Sequence, residues 1–471
     1  MKIPGVTAEM LQRTLSGRWV NGFPHPSMGW INARSDSREI GPGEVFVALS
    51  GSRTDGHDHL EDARVRQAAF AVVSRPVVES PLLQLLVSDT VLALKEMARL
   101  LLISHLEAGH RLVTLTGSVG KTTTRELLRL GLTPEGGAHA SRGNENNEIG
   151  VPLTLLSWPS EDRYCILEVG IRKSGDMDYL APLLSADAGI VTAIAPGHLE
   201  TMGTVSKVWE EKSKLLKDVR SGGSLIMPDP VRRTFSEDPL FKDPRWKVAS
   251  GDIGAKETLP GAVSASVRQG DRSLTLVVDA WGIEFPLPRP SMALAWCSLM
   301  TLLALKELGI DPGVTIGRLA SYNGLPGRME RRELPSGLLL LLDHYNANPA
   351  SMREALDWLA REKAFRQGSS SFAILGDMLE LGEESDRFHE EVGAQAARSG
   401  IEKVWYRGTA KEAFLRGFLR EAGNQERVVS SDYFSKDLLQ GTGPSEKDVL
   451  LVKGSRGMKL EEVIAPLLER V

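Results

Sequence analysis

Short apolar runs closed by polar turns alternate along this chain with stretches in which apolar residues return every three or four positions. In the first third, residues 45–49 (VFVAL) and 69–73 (AFAVV) have the pattern of buried strands, and residues 90–104 (TVLALKEMARLLLIS) carry helical spacing. Next comes a strand at 112–116, a Gly-rich loop at 117–120 and a helix at 122–132. Further strands are expected at 164–169 and 188–194. Apolar strands alternating with helical stretches predict a parallel sheet covered on both faces. From 264 to 278 the spacing changes to strict alternation (SASVRQGDRSLTLVV), which predicts an antiparallel hairpin added to that sheet. After the turn-rich stretch 322–327 (YNGLPG), strands are expected at 338–342, 372–375, 403–406 and 449–452. Helices are expected at 351–363 and 383–398, so a second doubly wound α/β unit follows.

A length of 471 residues suits about three domains, and the pattern divides them at 1–107, 108–318 and 319–471. Hydrophobic residues make up 42% and charged residues 25%, the balance of an ordinary globular chain. The net charge of −5 and the lack of a long basic block argue against nucleic-acid binding. No apolar run approaches the ~18 residues of a membrane span. Residues 1–10 lack the pattern of a secretory signal. Cys165 and Cys297 are too few for a disulfide framework and have no metal-ligand spacing. The expectation is a cytoplasmic protein, active as a monomer, with no nucleic-acid partner and no membrane insertion.

The strongest chemical signal is Thr116-Gly117-Ser118-Val119-Gly120-Lys121-Thr122-Thr123 between a strand and a helix. Glycines let backbone N–H groups close around phosphate, and the helix N-terminus that follows favours anions. Lys121 is placed to reach the β/γ-phosphates and the Thr122 hydroxyl to ligate Mg²⁺. Leu115 stands where the full phosphate-loop pattern has its first Gly; the plainer alternative is a Gly-rich turn capping a helix. Glu168 ends one predicted strand and His198 follows another, so both open on the same sheet edge as Lys121. A carboxylate and an imidazole beside a triphosphate are reasonable Mg²⁺ ligands, although either residue alone is an ordinary surface or core group. In the last third, Asp343, Asn346 and Asn348 follow strand 338–342, and Lys453 and Arg456 follow strand 449–452. Their plainer reading is turn chemistry and solvated charge.

Together these segments resemble the Mur ligase family, ATP-dependent amide-forming enzymes of peptidoglycan synthesis. Gly117-Ser118-Val119-Gly120-Lys121-Thr122-Thr123 is similar to the family's phosphate loop, with Val119 in place of the usual Asn. Gly143-Asn144-Glu145-Asn146-Asn147-Glu148-Ile149-Gly150-Val151-Pro152 resembles its substrate-contacting segment. Asp36-Ser37-Arg38, Gly51 and Asp55-Gly56-His57 resemble the nucleotide-sugar domain of its later-acting members. Tyr345-Asn346-Ala347-Asn348-Pro349, Leu375-Gly376-Asp377-Met378-Leu379-Glu380-Leu381-Gly382 and Lys453-Gly454-Ser455-Arg456-Gly457-Met458 are similar to the branch that adds D-alanyl-D-alanine. The Asp-Asn-Pro-Arg motif of the diaminopimelate-adding branch is absent.

The resemblance implies a three-domain α/β fold: a small amino-terminal α/β domain, a central P-loop-type doubly wound parallel sheet and a carboxy-terminal Rossmann-like domain. It also implies ATP and Mg²⁺ as cofactors, with UDP-N-acetylmuramoyl-tripeptide and D-alanyl-D-alanine as substrates joined through an acyl phosphate. Gly117, Ser118, Val119, Gly120, Lys121, Thr122 and Thr123 would hold the phosphates, and Arg328 and Asp343 would contact ATP from the third domain. Thr122, Glu168, His198 and Lys212 would surround metal, Lys212 aligning with a lysine that the family carbamylates; Lys214 is its neighbour. Lys121, Glu168, His198 and Lys212 form the implied catalytic set. Ser37, Arg38, Asp55, His57, Asn144, Asn147, Asn346, Asn348, Lys453 and Arg456 would contact substrate. Where the family has a His-Asn segment this chain reads Pro288-Arg289-Pro290-Ser291-Met292-Ala293-Leu294. Ala193 replaces a usual Asn, and Leu342-Asp343 a usual double Asp. These departures imply altered adenine contacts rather than loss of activity. A relative acting on another amino acid or on a folate is the competing ligase reading, and Asp36-Ser37-Arg38 argues against the folate branch. A non-catalytic nucleotide-binding scaffold is the competing reading outside enzymes.

Overall fold

A computed structural model describes residues 6–25, 29–30, 32–51, 54–255, 257–422, 424–430 and 444–468. Three large sheets carry the fold. The first has five strands in the order Arg18–Val20, Gln84–Leu86, Phe70–Val73, Val45–Val47, Ala33–Arg34, all parallel except the antiparallel edge strand Arg18–Val20. The expected helix forms at Thr90–Glu107, a turn longer than its apolar pattern, with Asp89 accepting from the N–H groups of Val91 and Leu92 as its cap.

The central sheet has nine strands: Ile283–Pro286, Leu274–Val278, Val263–Gln269, Lys247–Ile253, Val219–Pro228, Ala186–Val191, Arg111–Thr116, Tyr164–Glu168 and Ala138–Ala140 in spatial order. The first three form an antiparallel extension that includes the expected hairpin; the rest are parallel. Alternation along the strands divides the core between two faces. Leu112, Cys165 and Leu167 pack on one side with Leu101, Leu155 and Leu216. Val113, Leu115 and Ile166 pack on the other with Leu127, Leu128, Leu299 and Leu302. The strand expected at 188–194 instead runs Ala186–Val191, because Thr192, Ala193 and Ala195 turn away to bond the phosphate loop.

The third sheet has six strands in the order Glu330–Glu333, Leu339–Leu342, Val449–Lys453, Ser371–Gly376, Lys403–Arg407, Val428–Ser430. Only the edge strand Glu330–Glu333 is antiparallel. Helices Pro349–Phe365 and Ser385–Arg398 match the two expected there. No helix among the described residues is long and apolar enough to cross a membrane.

Candidate active site

Strand Arg111–Thr116 runs into the loop and helix Lys121–Leu132 leaves it. Gly117 has φ +150°, and a Cβ there would lie 2.1 Å from Thr192 Oγ1, so only glycine fits. Gly120, at φ +85°, starts the helix. The loop is fixed from behind: Thr192 Oγ1 donates to the Val119 carbonyl at 2.5 Å, Ser118 Oγ donates to the Ala195 carbonyl at 2.9 Å, and Ala195 N–H donates to Ser118 Oγ at 3.0 Å. Lys121 Nζ donates to the Gly117 carbonyl at 2.8 Å across the loop. Burial pulls the Lys121 amine below its usual range, with Glu168 opposing the shift and Arg328 adding to it.

Glu168 is buried at the carboxyl end of strand Tyr164–Glu168. Its Oε2 accepts from Thr122 Oγ1 at 2.9 Å and from Arg125 at 3.3 Å, and its Oε1 accepts from Asn146 Nδ2 at 3.2 Å. A hydroxyl and a carboxylate side by side are hard oxygen donors of the kind Mg²⁺ takes. Among the described residues no three of His, Cys, Asp and Glu converge on a point. A divalent cation here therefore needs phosphate and water oxygens to complete its shell, which suits Mg²⁺. The residues present fit that ion.

His198, in the left-handed region at φ 56°, caps the short helix Leu199–Met202. Its Nδ1 lies 2.5 Å from Glu380 Oε2, and Glu380 belongs to the third sheet's unit. Glu200 N–H donates to the Glu380 carbonyl at 3.2 Å, so backbone and side chain bridge the same seam. Lys212 and Lys214 share helix Val205–Lys217 but differ in setting. Lys214 pairs at the surface with Asp178 at 2.6 Å and Glu211 at 2.7 Å. Lys212 is fully buried, within electrostatic reach of Lys121 and Glu168, and burial drives its amine well below the ordinary lysine range.

The third unit completes the site. Asn348 caps helix Pro349–Phe365 and also donates from Nδ2 to the Ser118 carbonyl at 3.3 Å, which joins this helix to the phosphate loop. The Arg328 guanidinium lies 3.8 Å above the Tyr345 ring. Asp343 accepts from Met329 N–H at 3.0 Å and from Lys453 Nζ at 2.6 Å. Lys453 also donates to the carbonyls of Asp343 at 3.1 Å and Asn346 at 3.0 Å, so its three protons all hold the 343–346 turn. Arg456 pairs with Glu461 at 3.0 Å.

One cavity of about 1070 Å³ runs between these units. Ser118, Lys121, Thr122 and Glu168 line its floor; His198 and Glu380 line one wall. Arg328, Asp343, Asn346, Asn348, Lys453 and Arg456 border it from the third unit, and Asn144 and Asn147 from the segment after the loop. Asn147 uses its side-chain oxygen on the N–H of Gly150 at 2.9 Å. Lys212 lies behind the lining.

The amino-terminal candidates gather elsewhere, at the carboxyl edge of the first sheet. Ser37 is buried there, and Arg38 makes a two-pronged pair with Asp36 at 2.6 and 2.9 Å. Asp55 accepts from the His57 backbone N–H at 3.0 Å, lies 2.7 Å from His57 Nδ1 and pairs with Arg75 at 3.0 Å. His57 Nε2 accepts from Ser74 N–H at 3.0 Å, so the buried imidazole ties together the segments that leave strands Val45–Val47 and Phe70–Val73. Sequence reasoning passed over Arg125, Asn146 and Glu380 as individual groups. Asn146 and Glu380 lay inside motifs it had singled out, and their contacts with Glu168 and His198 form only on folding.

A phosphate loop on one parallel sheet, a carboxylate and hydroxyl beside it, and a second Rossmann-like unit closing the cavity define a nucleotide-dependent ligase. Residues 115–287 match the Mur ligase middle domain, and residues 327–456 the Mur ligase, glutamate ligase domain. The UDP-N-acetylmuramoyl-tripeptide--D-alanyl-D-alanine ligase of Bacillus subtilis is 30% identical over 92% of each chain. Its Escherichia coli counterpart is 31% identical over 92% of this chain and 93% of its own. Among solved structures, MurF from Acinetobacter baumannii superposes with a TM-score of 0.82 at 25% identity over 100% of both chains. MurF ligase from Thermotoga maritima in complex with ADP gives 0.75 at 26% identity over 93% of this chain and 98% of that one. The chain belongs to the Mur ligase family, whose members are ATP-dependent and ADP-forming.

Proposed function

We infer that this chain joins D-alanyl-D-alanine to UDP-N-acetylmuramoyl-tripeptide, converting ATP to ADP and phosphate and making the UDP-linked pentapeptide of peptidoglycan synthesis. The observation that carries this reading is the shared cavity: a phosphate loop on one side and the Tyr345–Pro349 turn on the other, in a chain matched over nine-tenths of its length by ligases of that name.

In the first step a terminal carboxylate oxygen of the tripeptide attacks the γ-phosphorus of ATP, and the bond to ADP breaks. The free amine of the dipeptide then attacks the acyl carbon of the acyl phosphate, loses a proton, and phosphate departs with the electron pair of the broken C–O bond. A carboxylate is a poor electrophile, and both steps gather negative oxygens. Lys121 and the N–H groups at the start of helix Lys121–Leu132 stabilise that charge on the β/γ-phosphates. Thr122 and Glu168 would hold Mg²⁺, which when bound neutralises phosphate charge and orients the γ-phosphoryl group. His198, its Nδ1 occupied by Glu380, has Nε2 left for a second cation. Burial favours the neutral Lys212 amine, the form that adds CO₂ to become a carbamate, an anion suited to the cation side of the site.

Arg328 and Asp343 are assigned to the nucleotide, and Asn144, Asn147, Asn346, Asn348 and Arg456 to the peptide and dipeptide. Lys453 acts by holding Asp343 and Asn346. Ser37, Arg38 and Asp55, braced by His57, mark the UDP-sugar edge. We take 1–107, 108–318 and 319–471 as the three domains. We take the active unit to be a monomer. The buried free cysteines Cys165 and Cys297 suit the reducing cytoplasm. Mass analysis of the product tests the substrate assignment: tripeptide, dipeptide and ATP should give the UDP-linked pentapeptide. A product with another amine and none with the dipeptide would move the assignment to another branch of the family.

A further inference from the structure

Residues 288–294 read Pro-Arg-Pro-Ser-Met-Ala-Leu, in which Arg289 is spent on the carbonyls of Tyr322 and Asn323 and Ser291 caps the helix that follows. Helix Met292–Glu307 connects that segment to the phosphate loop: Cys297 Sγ lies 3.7 Å from the Gly120 carbonyl. One turn earlier on the helix, about 6 Å along its axis, Ala293 N–H donates to Glu354 Oε2 at 3.1 Å. Glu354 belongs to helix Pro349–Phe365, whose Ser351, Glu354, Ala355 and Trp358 share one face and line the cavity. Across from them, Ser291, Ala293 and Cys297 form the facing wall. A nucleotide with its phosphates on Gly117–Thr123 therefore has, one helical turn away, a slot between these two walls that is bordered by Ala293, Cys297, Ala355 and Trp358.

We propose that Glu354 reads the nucleobase in that slot, selecting adenine through its exocyclic amine. The proposal rests on the ATP-dependent reading above. Glu354 accepts a single backbone N–H in the described structure, and no ion pair reaches it among the described residues. A carboxyl group in such a slot has acceptor capacity to spare, and an exocyclic amine supplies the matching donor. A 6-oxo purine presents a carbonyl oxygen at the same position, which sets two acceptors against each other. Burial also raises the Glu354 carboxyl above its usual range, with Asp357 adding and Arg361 opposing. The neutral form can donate its O–H either to the adenine ring nitrogen or to a 6-oxo group, so the discrimination against a 6-oxo base belongs to the ionised carboxylate.

The test is the binding of ADP and IDP, which differ at the 6-position of the base, to the full-length protein, with turnover of ATP measured separately. The wild type should bind ADP at least about tenfold more tightly than IDP. Glu354→Ala should reduce that ratio about tenfold, and Glu354→Gln, whose amide can donate to a 6-oxo group while still accepting from Ala293, should bring it to unity or invert it. Melting temperatures identify any variant that fails to fold, and the Gln variant keeps the shape of the side chain. An ADP-to-IDP ratio unchanged in Glu354→Gln overturns the proposal. Absence of product from ATP in the wild type would instead count against the ligase reading, and the binding ratio would still decide the role of Glu354.

Discussion

His198 Nδ1 and Glu380 Oε2 lie 2.5 Å apart across the seam between the central and third sheets. The pair fixes which imidazole nitrogen remains for the cavity, and it exists only while the two units are together. Glu380→Gln keeps the size of the side chain and removes the charge. Groups that orient metal-bound histidines change metal affinity by about 10- to 100-fold. The Mg²⁺ concentration for half-maximal turnover should therefore rise by about tenfold in Glu380→Gln, with a stability change below about 1 kcal/mol because Glu380 is half exposed. Titration of activity with Mg²⁺ measures the first, and urea denaturation the second. An unchanged Mg²⁺ requirement would show that the pair is only a clasp.

Lys453 and Asp343 form a pair whose lysine side chain is 2% exposed. Removing one partner of a buried pair costs about 3–5 kcal/mol, because the other charge is left without compensation. Lys453→Met should lose about 3 kcal/mol in urea unfolding, discounted somewhat because Asp343 keeps some contact with water. It should also raise KM for ATP, since the 343–346 turn loosens. A variant of normal stability with only the dipeptide KM raised would instead make Lys453 a substrate contact.

His105, on helix Thr90–Glu107, stacks on Trp158 at 4.0 Å with its Nδ1 2.9 Å from His110 Nδ1. Burial, with the nearby imidazoles, pushes His105 down to about 3. Its folded value lies below the unfolded one, so the unfolded chain binds more protons between about pH 6.5 and 3 and stability falls as the pH drops through that window. The loss attributable to His105 is on the order of 5 kcal/mol at the acid end. His105→Phe should flatten the acid limb of the stability curve while keeping the stack on Trp158. A curve with the same acid slope would place the proton uptake elsewhere.

Lys212 is held where protonation is costly, so its folded pKa lies well below the unfolded value. Between the two values the unfolded chain binds the extra proton, and the unmodified amine lowers stability throughout that range. Lys212→Met removes this burden and should raise the melting temperature near neutral pH while turnover falls to background. A Lys212→Met enzyme that turns over normally would remove the residue from the catalytic set.

The parts of this account that were legible in the sequence are local ones. The strand before the loop, the Gly-Lys-Thr turn and the Leu-rich strand of the third sheet declare themselves through spacing and glycine chemistry. Strand Val219–Pro228 escapes the pattern because its first half reads Val-Arg-Ser-Gly-Gly, exposed at 220–222, and its pairing begins in earnest only at Ser224. Edge strand Glu330–Glu333 is wholly polar, and only its partner Leu339–Leu342 makes it a strand. The same limit applies to the site. Thr122 and Glu168 were placed together by sheet topology, whereas the links from Arg125 and Asn146 to Glu168, and from Glu380 to His198, depend on side chains that meet after the chain has folded. His57 had the look of a substrate contact, but both ring nitrogens are engaged within its own domain.

The central claim is that the phosphate loop and the third-domain turn serve one amide-forming reaction. Phosphate release from ATP in the presence of UDP-N-acetylmuramoyl-tripeptide, with and without D-alanyl-D-alanine, tests it most directly. The account predicts release that requires the dipeptide, matches pentapeptide formed mole for mole, and disappears in Lys121→Ala. Release that ignores the dipeptide, or that survives Lys121→Ala, would contradict it.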